Sequence, residues 1–175
     1  MLKVVIFGLR GSGKDEATRI FKEKVEGAEQ LRIAEFVVKA CHALGIENPT
    51  RDDLAYVGHD IGRMMIDKDI WSKMAIRYAE LNPDKHLIVS DCRYPNEYEG
   101  FVKLGFVPIL IETDKEKCIE RVIKRDGYIN MELLEHESET NYLKFAYDLK
   151  LDNNGSIIDL EKQIDELLKL LLREW

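Results

Sequence analysis

Cysteine is scarce. Cys41, Cys92 and Cys118 are odd in number and far apart, which argues against a disulfide framework and offers no metal-ligand spacing. They point to a reducing compartment, and Cys92 reads as a small buried thiol rather than a nucleophile. An apolar run of bilayer length is also lacking, and the opening MLKVVIFG has neither the long apolar core nor the cleavage site of a secretory peptide. The expectation is a soluble, cytoplasmic chain with no membrane partner. Positive charge is not in excess: the formal net charge of −7 argues against a sequence-independent grip on nucleic acid. No repeat, low-complexity tract or linker interrupts the 175 residues, so one domain is expected over 1–175.

What the chain does have is alternation. Five short apolar runs read as strands, at 2–7, 30–34, 86–90, 106–112 and 148–151, with helical patterns between them. The first, third and fourth are nearly continuous in hydrophobicity, as strands covered on both faces of a parallel sheet are. A doubly wound α/β domain follows. Thr113 with Glu116, and Ser156 with Asp159, have the spacing of capping boxes that open helices. After Ser156, the positions Ile157, Leu160, Ile164, Leu167, Leu168 and Leu171 form one apolar stripe that should dock on the sheet.

Chemistry enters at GLRGSGKD, residues 8–15. Gly8, Gly11 and Gly13 let the backbone bend until its N–H groups surround phosphate oxygens, with Ser12 in the turn. The following helix adds its positive end, and Lys14 reaches the terminal phosphates. A strand precedes this loop and a helix follows it, as a P-loop requires. The position after the lysine holds Asp15 where a Mg²⁺-ligating Ser or Thr is usual. A carboxylate can hold Mg²⁺ directly or through water, so the substitution suggests a stricter dependence on metal. At HLIVSDCRYPNE a second apolar strand ends in Asp91 and Arg93. Ligands of open α/β sheets bind beyond the carboxyl ends of strands; Asp91 is placed there for metal or base work and Arg93 for a phosphate. A plain turn with a surface ion pair is the competing reading.

Taken in order, GSGKD, DIGRMMIDKDIW, SDCRYPNE, HESE and DNNGS resemble the phage-type deoxynucleoside monophosphate kinases, a family of P-loop nucleotide kinases, from residue 4 to about 165. In that family, too, aspartate follows the loop lysine. The chain departs from the pattern at Glu16, where Thr is common, and at Cys92, often aliphatic. The resemblance implies a P-loop kinase-like three-layer α/β sandwich with a central five-stranded parallel sheet. It also implies an acceptor-binding helical insert at about 33–82 and a short lid at about 121–140. ATP would lay its phosphates on Gly8, Gly11, Ser12, Gly13, Lys14 and Asp15, and its base against Asn153, Asn154 and Gly155. Mg²⁺ would fall to Asp15 and Asp91. The acceptor would meet Arg63, Asp69 and Arg93, with Phe36 and Trp71 shaping its pocket, although core packing is the simpler role for both aromatics.

Arg121 and Arg125 lie four apart on one helical face and would clamp the transferring phosphoryl group, completing a catalytic set with Lys14, Asp91 and Arg93; a solvated helix face paired with Glu116, Glu120 or Asp126 is the competing reading. The activity implied is transfer from ATP to a (deoxy)nucleoside monophosphate. A dephospho-coenzyme A kinase-like enzyme, with Asp91 as base toward a hydroxyl, is the same-fold alternative. A non-catalytic nucleotide-binding regulator, suggested by Glu16, is another. The expected partners are small-molecule nucleotides, with a homodimer left open.

Overall fold

The computed structural model describes residues 1–173, the side chains of 133 and 173 excepted. Five strands, β1 (Lys3–Phe7), β2 (Glu29–Gln30), β3 (Leu87–Val89), β4 (Val107–Glu112) and β5 (Leu149–Asp152), form one sheet. Their order is β2-β3-β1-β4-β5 and every pair is parallel. The order reverses at β1, so β3 and β4 flank it and the chain segments leaving all three strands converge at one end of the sheet.

Side-chain alternation explains the three layers. Along β1, Val4 and Ile6 enter one core, with Ile20 and Phe21 of α1 (Lys14–Lys24) and Leu160 and Ile164 of α9 (Ile157–Arg173). Val5 and Phe7 enter the other, with residues of α2 (Ile33–Ala43), α4 (Ile70–Leu81) and α5 (Pro95–Lys103). Successive strand residues face opposite sides, so an uninterrupted apolar run is what a strand between two helical layers needs. The predicted stripe of α9 holds at Leu160, Ile164, Leu167 and Leu168, which are buried, while Ile157 is exposed. Its capping box forms: Ser156 N donates to Asp159 Oδ2 at 3.0 Å and Asp159 N to Ser156 Oγ at 3.3 Å.

Two sequence expectations are corrected. The second strand was expected over 30–34, but β2 ends at Gln30, with one further ladder bond from Leu31 N to Ile88 O (2.8 Å), and the chain is helical from Ile33. The cause lies far away in sequence: Asp91 accepts the N–H groups of Ile33 (3.1 Å) and Ala34 (3.0 Å), satisfying two orphan donors of a new helix. Thr113 does not cap α6 (Lys115–Asp126), whose N-cap is Asp114. The Thr113 hydroxyl donates instead to Ser12 O at 3.0 Å.

The insert between β2 and β3 comprises α2, α3 (Arg51–Ala55), a π-helical stretch over Tyr56–Ile66, and α4. Gly62 in that stretch admits the Trp71 ring, since a β-carbon there would lie 2.4 Å from Cζ2. Beyond α6 come the short helices α7 (Met131–Glu135) and α8 (Glu137–Thr140), then a 3-10 turn over Asn141–Lys144. Among the described residues no helix is long and apolar enough to cross a membrane.

Candidate active site

At the converging strand ends lies a cleft of about 660 Å³. Gly8, Gly11, Gly13, Lys14 and Asp15 form its floor. Asp91 and Arg93 line it from the end of β3, and Arg121 and Arg125 from α6. The two motifs and the arginine pair picked from the sequence are therefore brought together.

The glycine loop is held from several sides. Gly13 has φ 99°, a left-handed conformation that disfavours any side chain, and a β-carbon there would sit 2.1 Å from Asn153 Nδ2. That amide donates to Ser12 O at 2.8 Å, and Asn153 N donates to Glu112 O at 2.9 Å. At Gly11 a β-carbon would meet Cys118 O at 2.4 Å, so the loop is pressed against α6. Asn153 is thus the strut that braces the P-loop. Asn154 ties the same turn to α6: its Oδ1 accepts from Asp114 N at 2.9 Å, and its carbonyl accepts from Lys117 Nζ at 2.6 Å. Asn153, Asn154 and Gly155 do not line the cleft itself.

Lys14 folds back over the loop, its Nζ donating to Gly8 O (2.6 Å) and Leu9 O (2.9 Å). Burial pulls its pKa down to about 8, with the Glu139 carboxylate acting in the opposite direction. Two buried polar atoms have no partner among the described residues: Ser12 Oγ and Arg121 Nη1. Leaving one such group unpaired costs on the order of 1–3 kcal/mol. Arg121 lines the cleft, where an anionic ligand would satisfy its Nη1, whereas Ser12 is fully buried behind the loop and does not line it. The residues present therefore fit the phosphates of a nucleotide.

The acidic groups are not equivalent. Asp15 lines the cleft and makes no hydrogen bond to the protein among the described residues, so its carboxylate is free for a cation. Both oxygens of Asp91 are engaged at the start of α2, and burial raises its pKa against the pull of those amides. Glu16 accepts from Arg19 Nη2 at 2.6 Å on its own helix. Among the described residues, no three His, Cys, Asp or Glu side chains cluster as a ready-made metal site.

The arginine pair divides. Arg121 Nη2 donates to Asn153 O at 2.9 Å, making it part of the wall. Arg125, half-exposed, pairs through Nε and Nη2 with Asp126 (2.7 and 2.9 Å), which also accepts from Arg10 Nη2 at 2.9 Å.

Of the residues expected to meet an acceptor, Arg93 lines the cleft, while Phe36, Arg63, Asp69 and Trp71 lie apart from it. Phe36 and Trp71 are buried in the second core, Trp71 at 5% exposure with its indole N–H on Gly58 O at 2.8 Å. The Arg63 guanidinium carbon stacks 5.6 Å from the Tyr94 ring centre, and Asp69 Oδ1 accepts from Asn96 Nδ2 at 3.0 Å. None of these four lines the cleft, which is instead completed by Gln30, Arg32, Ser90, Glu139 and Tyr142. Sequence reasoning missed this set. Arg32 was open to the strand-end rule, and Glu139 stands inside the quoted HESE stretch.

No family model and no curated protein sequence matches the chain. Solved structures do. A shikimate kinase from Acinetobacter baumannii, in complex with shikimate, is 17% identical with a TM-score of 0.60, over 99% of this chain and 95% of that one. A sugar kinase from Janibacter sp. is 17% identical with a TM-score of 0.63, over 98% and 94%. An APS kinase from Mycobacterium tuberculosis, in complex with AMPPNP and APS, is 18% identical with a TM-score of 0.53, over 96% and 98%. The chain has the α/β fold of the P-loop kinases.

Proposed function

We propose that this protein is an ATP-dependent small-molecule kinase, and specifically that it phosphorylates a (deoxy)nucleoside monophosphate to the diphosphate. The P-loop geometry and the kinases that share its fold support the general activity. The observation that carries the finer reading is the charge of the cleft. Arg10, Lys14, Arg32, Arg93, Arg121 and Arg125 line it in a chain whose formal net charge is −7. Asp15, Glu16, Asp91 and Glu139 line it too, so the wall stays positive on balance in an acidic chain, as expected where donor and acceptor both carry phosphate.

In this reading the loop amides hold the ATP phosphates, and Lys14 turns from the loop carbonyls to the phosphates. Arg121 offers its unpartnered Nη1 to charge that grows during transfer. Asp15 would hold Mg²⁺, which offsets the phosphate charge; Asp91 would reach that ion only by releasing the amides of α2. Arg93 and Arg32 would receive the acceptor phosphate.

The second reading is a hydroxyl acceptor, as in the dephospho-coenzyme A kinase-like alternative. Such a reaction asks for a free carboxylate base. With Asp15 assigned to Mg²⁺, Asp91 is engaged by two amides and Glu139 by Arg93, which weighs against it.

The test is ADP release with ATP, Mg²⁺ and each nucleoside or deoxynucleoside monophosphate, beside shikimate, sugars and dephospho-coenzyme A. Turnover with a monophosphate supports the proposal. Turnover with a hydroxyl acceptor alone replaces it, and ATP binding without any turnover leaves the regulator.

A further inference from the structure

Arg93 follows a strand, and its side chain is about half-exposed (47%), yet its N–H, its carbonyl and one guanidinium nitrogen are all held. Its N–H donates to Glu97 Oε2 at 2.7 Å, and the same oxygen accepts from Tyr94 N at 3.1 Å. Its carbonyl accepts from Asn141 Nδ2 at 3.2 Å. Its guanidinium donates through Nη1 to Glu139. Glu139 and Asn141 are 7% and 6% exposed, and nearby Leu134 and Phe145 are buried too, so the segment that carries them is docked rather than dangling.

Burying a carboxylate is costly unless its partner is well placed, and truncating one member of such a pair is more damaging than either is stabilising. An arginine anchored through one nitrogen loses little further side-chain entropy when its remaining nitrogens meet an anion. The Nε and Nη2 groups of Arg93 make no hydrogen bond among the described residues, and the residue lines the cleft.

We propose that Glu139 is a positioning residue of the acceptor site: held in the protein interior, it fixes the Arg93 guanidinium so that the remaining nitrogens meet the phosphate of the acceptor. The inference rests on the reading that the acceptor carries a phosphate. Glu139 touches no reacting atom and acts through Arg93. Because Lys14 also faces Glu139, the test must separate an effect on the donor from one on the acceptor.

Kinetics of Glu139→Ala, Glu139→Gln, Arg93→Ala and the Glu139→Ala/Arg93→Ala double variant do so, with melting curves to confirm folding. Glu139→Ala should raise the acceptor KM roughly tenfold while the ATP KM stays within about twofold. Glu139→Gln, which keeps the shape and an oxygen acceptor, should fall between. Once Arg93 is gone, Glu139→Ala should add almost nothing. Equal weakening of ATP and acceptor, or full additivity with Arg93→Ala, would overturn the proposal.

An arm independent of turnover uses nitrogen-15 NMR of the guanidinium groups, with Arg93 identified by its loss in Arg93→Lys. Its Nη signals should be resolved in the native chain and averaged by rotation in Glu139→Ala and, to a lesser degree, in Glu139→Gln. Inorganic phosphate should shift them roughly tenfold more weakly in the alanine variant. Unchanged signals would refute the positioning role in whichever of the two variants folds. If no monophosphate is phosphorylated while these signals behave as stated, the functional reading fails and the Glu139–Arg93 coupling stands.

Discussion

The glycine-loop side of the cleft and the side of the helical insert are built differently. The glycine loop is braced by contacts that come from far along the chain: Asn153 and Thr113 on the Ser12 carbonyl, Cys118 against Gly11, and Glu112 under Asn153. The insert from α2 to α4, which the proposed function makes the acceptor side, meets the sheet through Asp91 and a core that includes Phe36 and Trp71, while Met64, Met65 and Ile66 stand exposed. A site that holds phosphates by backbone N–H groups must be rigid before the ligand arrives, because amides cannot be re-aimed singly. A site that must tell one acceptor from another can be assembled from side chains on a more loosely covered element.

The sharpest way to break this contrast is Lys14→Ala. It removes a cation from the position where charge develops, and turnover should fall by about 10²–10³-fold or more, the scale of one lost electrostatic group. Near-native kcat would show that the loop is not the donor site. Gly13→Ala should come next. A methyl 2.1 Å from Asn153 Nδ2, at φ 99°, cannot be accommodated without moving the brace, so ATP affinity measured by calorimetry should drop at least about tenfold. Asn153→Ala, which loses only the strut, should cost less, on the order of 1 kcal/mol of ATP binding.

Arg121 and Arg125 sharpen the comparison within one helix. Arg121→Ala should lower kcat by roughly tenfold, about 1.4 kcal/mol, because its free nitrogen sits in the buried wall. Arg125→Ala should do less, since Asp126 and solvent already satisfy that guanidinium. Equal losses in steady-state kinetics would restore the picture of a two-arginine clamp.

The pH dependence is smaller and has a definite sign. The Lys14 pKa is depressed to about 8, and only the protonated amine attracts phosphate. ATP affinity of the free protein should therefore decline as pH rises through that region, and the decline should vanish in Lys14→Ala. The smallest effect is expected from Trp71→Phe. Its indole bond to Gly58 O contributes about 1 kcal/mol to stability, so the melting temperature should fall while kcat and both KM values stay put. A raised acceptor KM would return Trp71 to the pocket.

Much of this molecule could be read from local pattern. A strand that ends in GLRGSGKD and runs into a helix specifies the shape of a P-loop, because glycine conformations and a helix N-terminus are local properties. Apolar runs of strand length specify a sheet covered on both faces, and Ser156 with Asp159 specifies where the last helix starts. The tertiary structure alone decided which polar groups those elements would hold. Asp91, at the cleft wall, holds the start of α2, Thr113 leaves its own helix for the P-loop, and Asn153 reaches Ser12 across 141 positions of sequence. Glu139 finds Arg93 across 46. A hydrogen bond between distant residues has no period and no neighbour to announce it. It exists only because packing has carried both partners into one place, and where that place is buried each must be satisfied by the other.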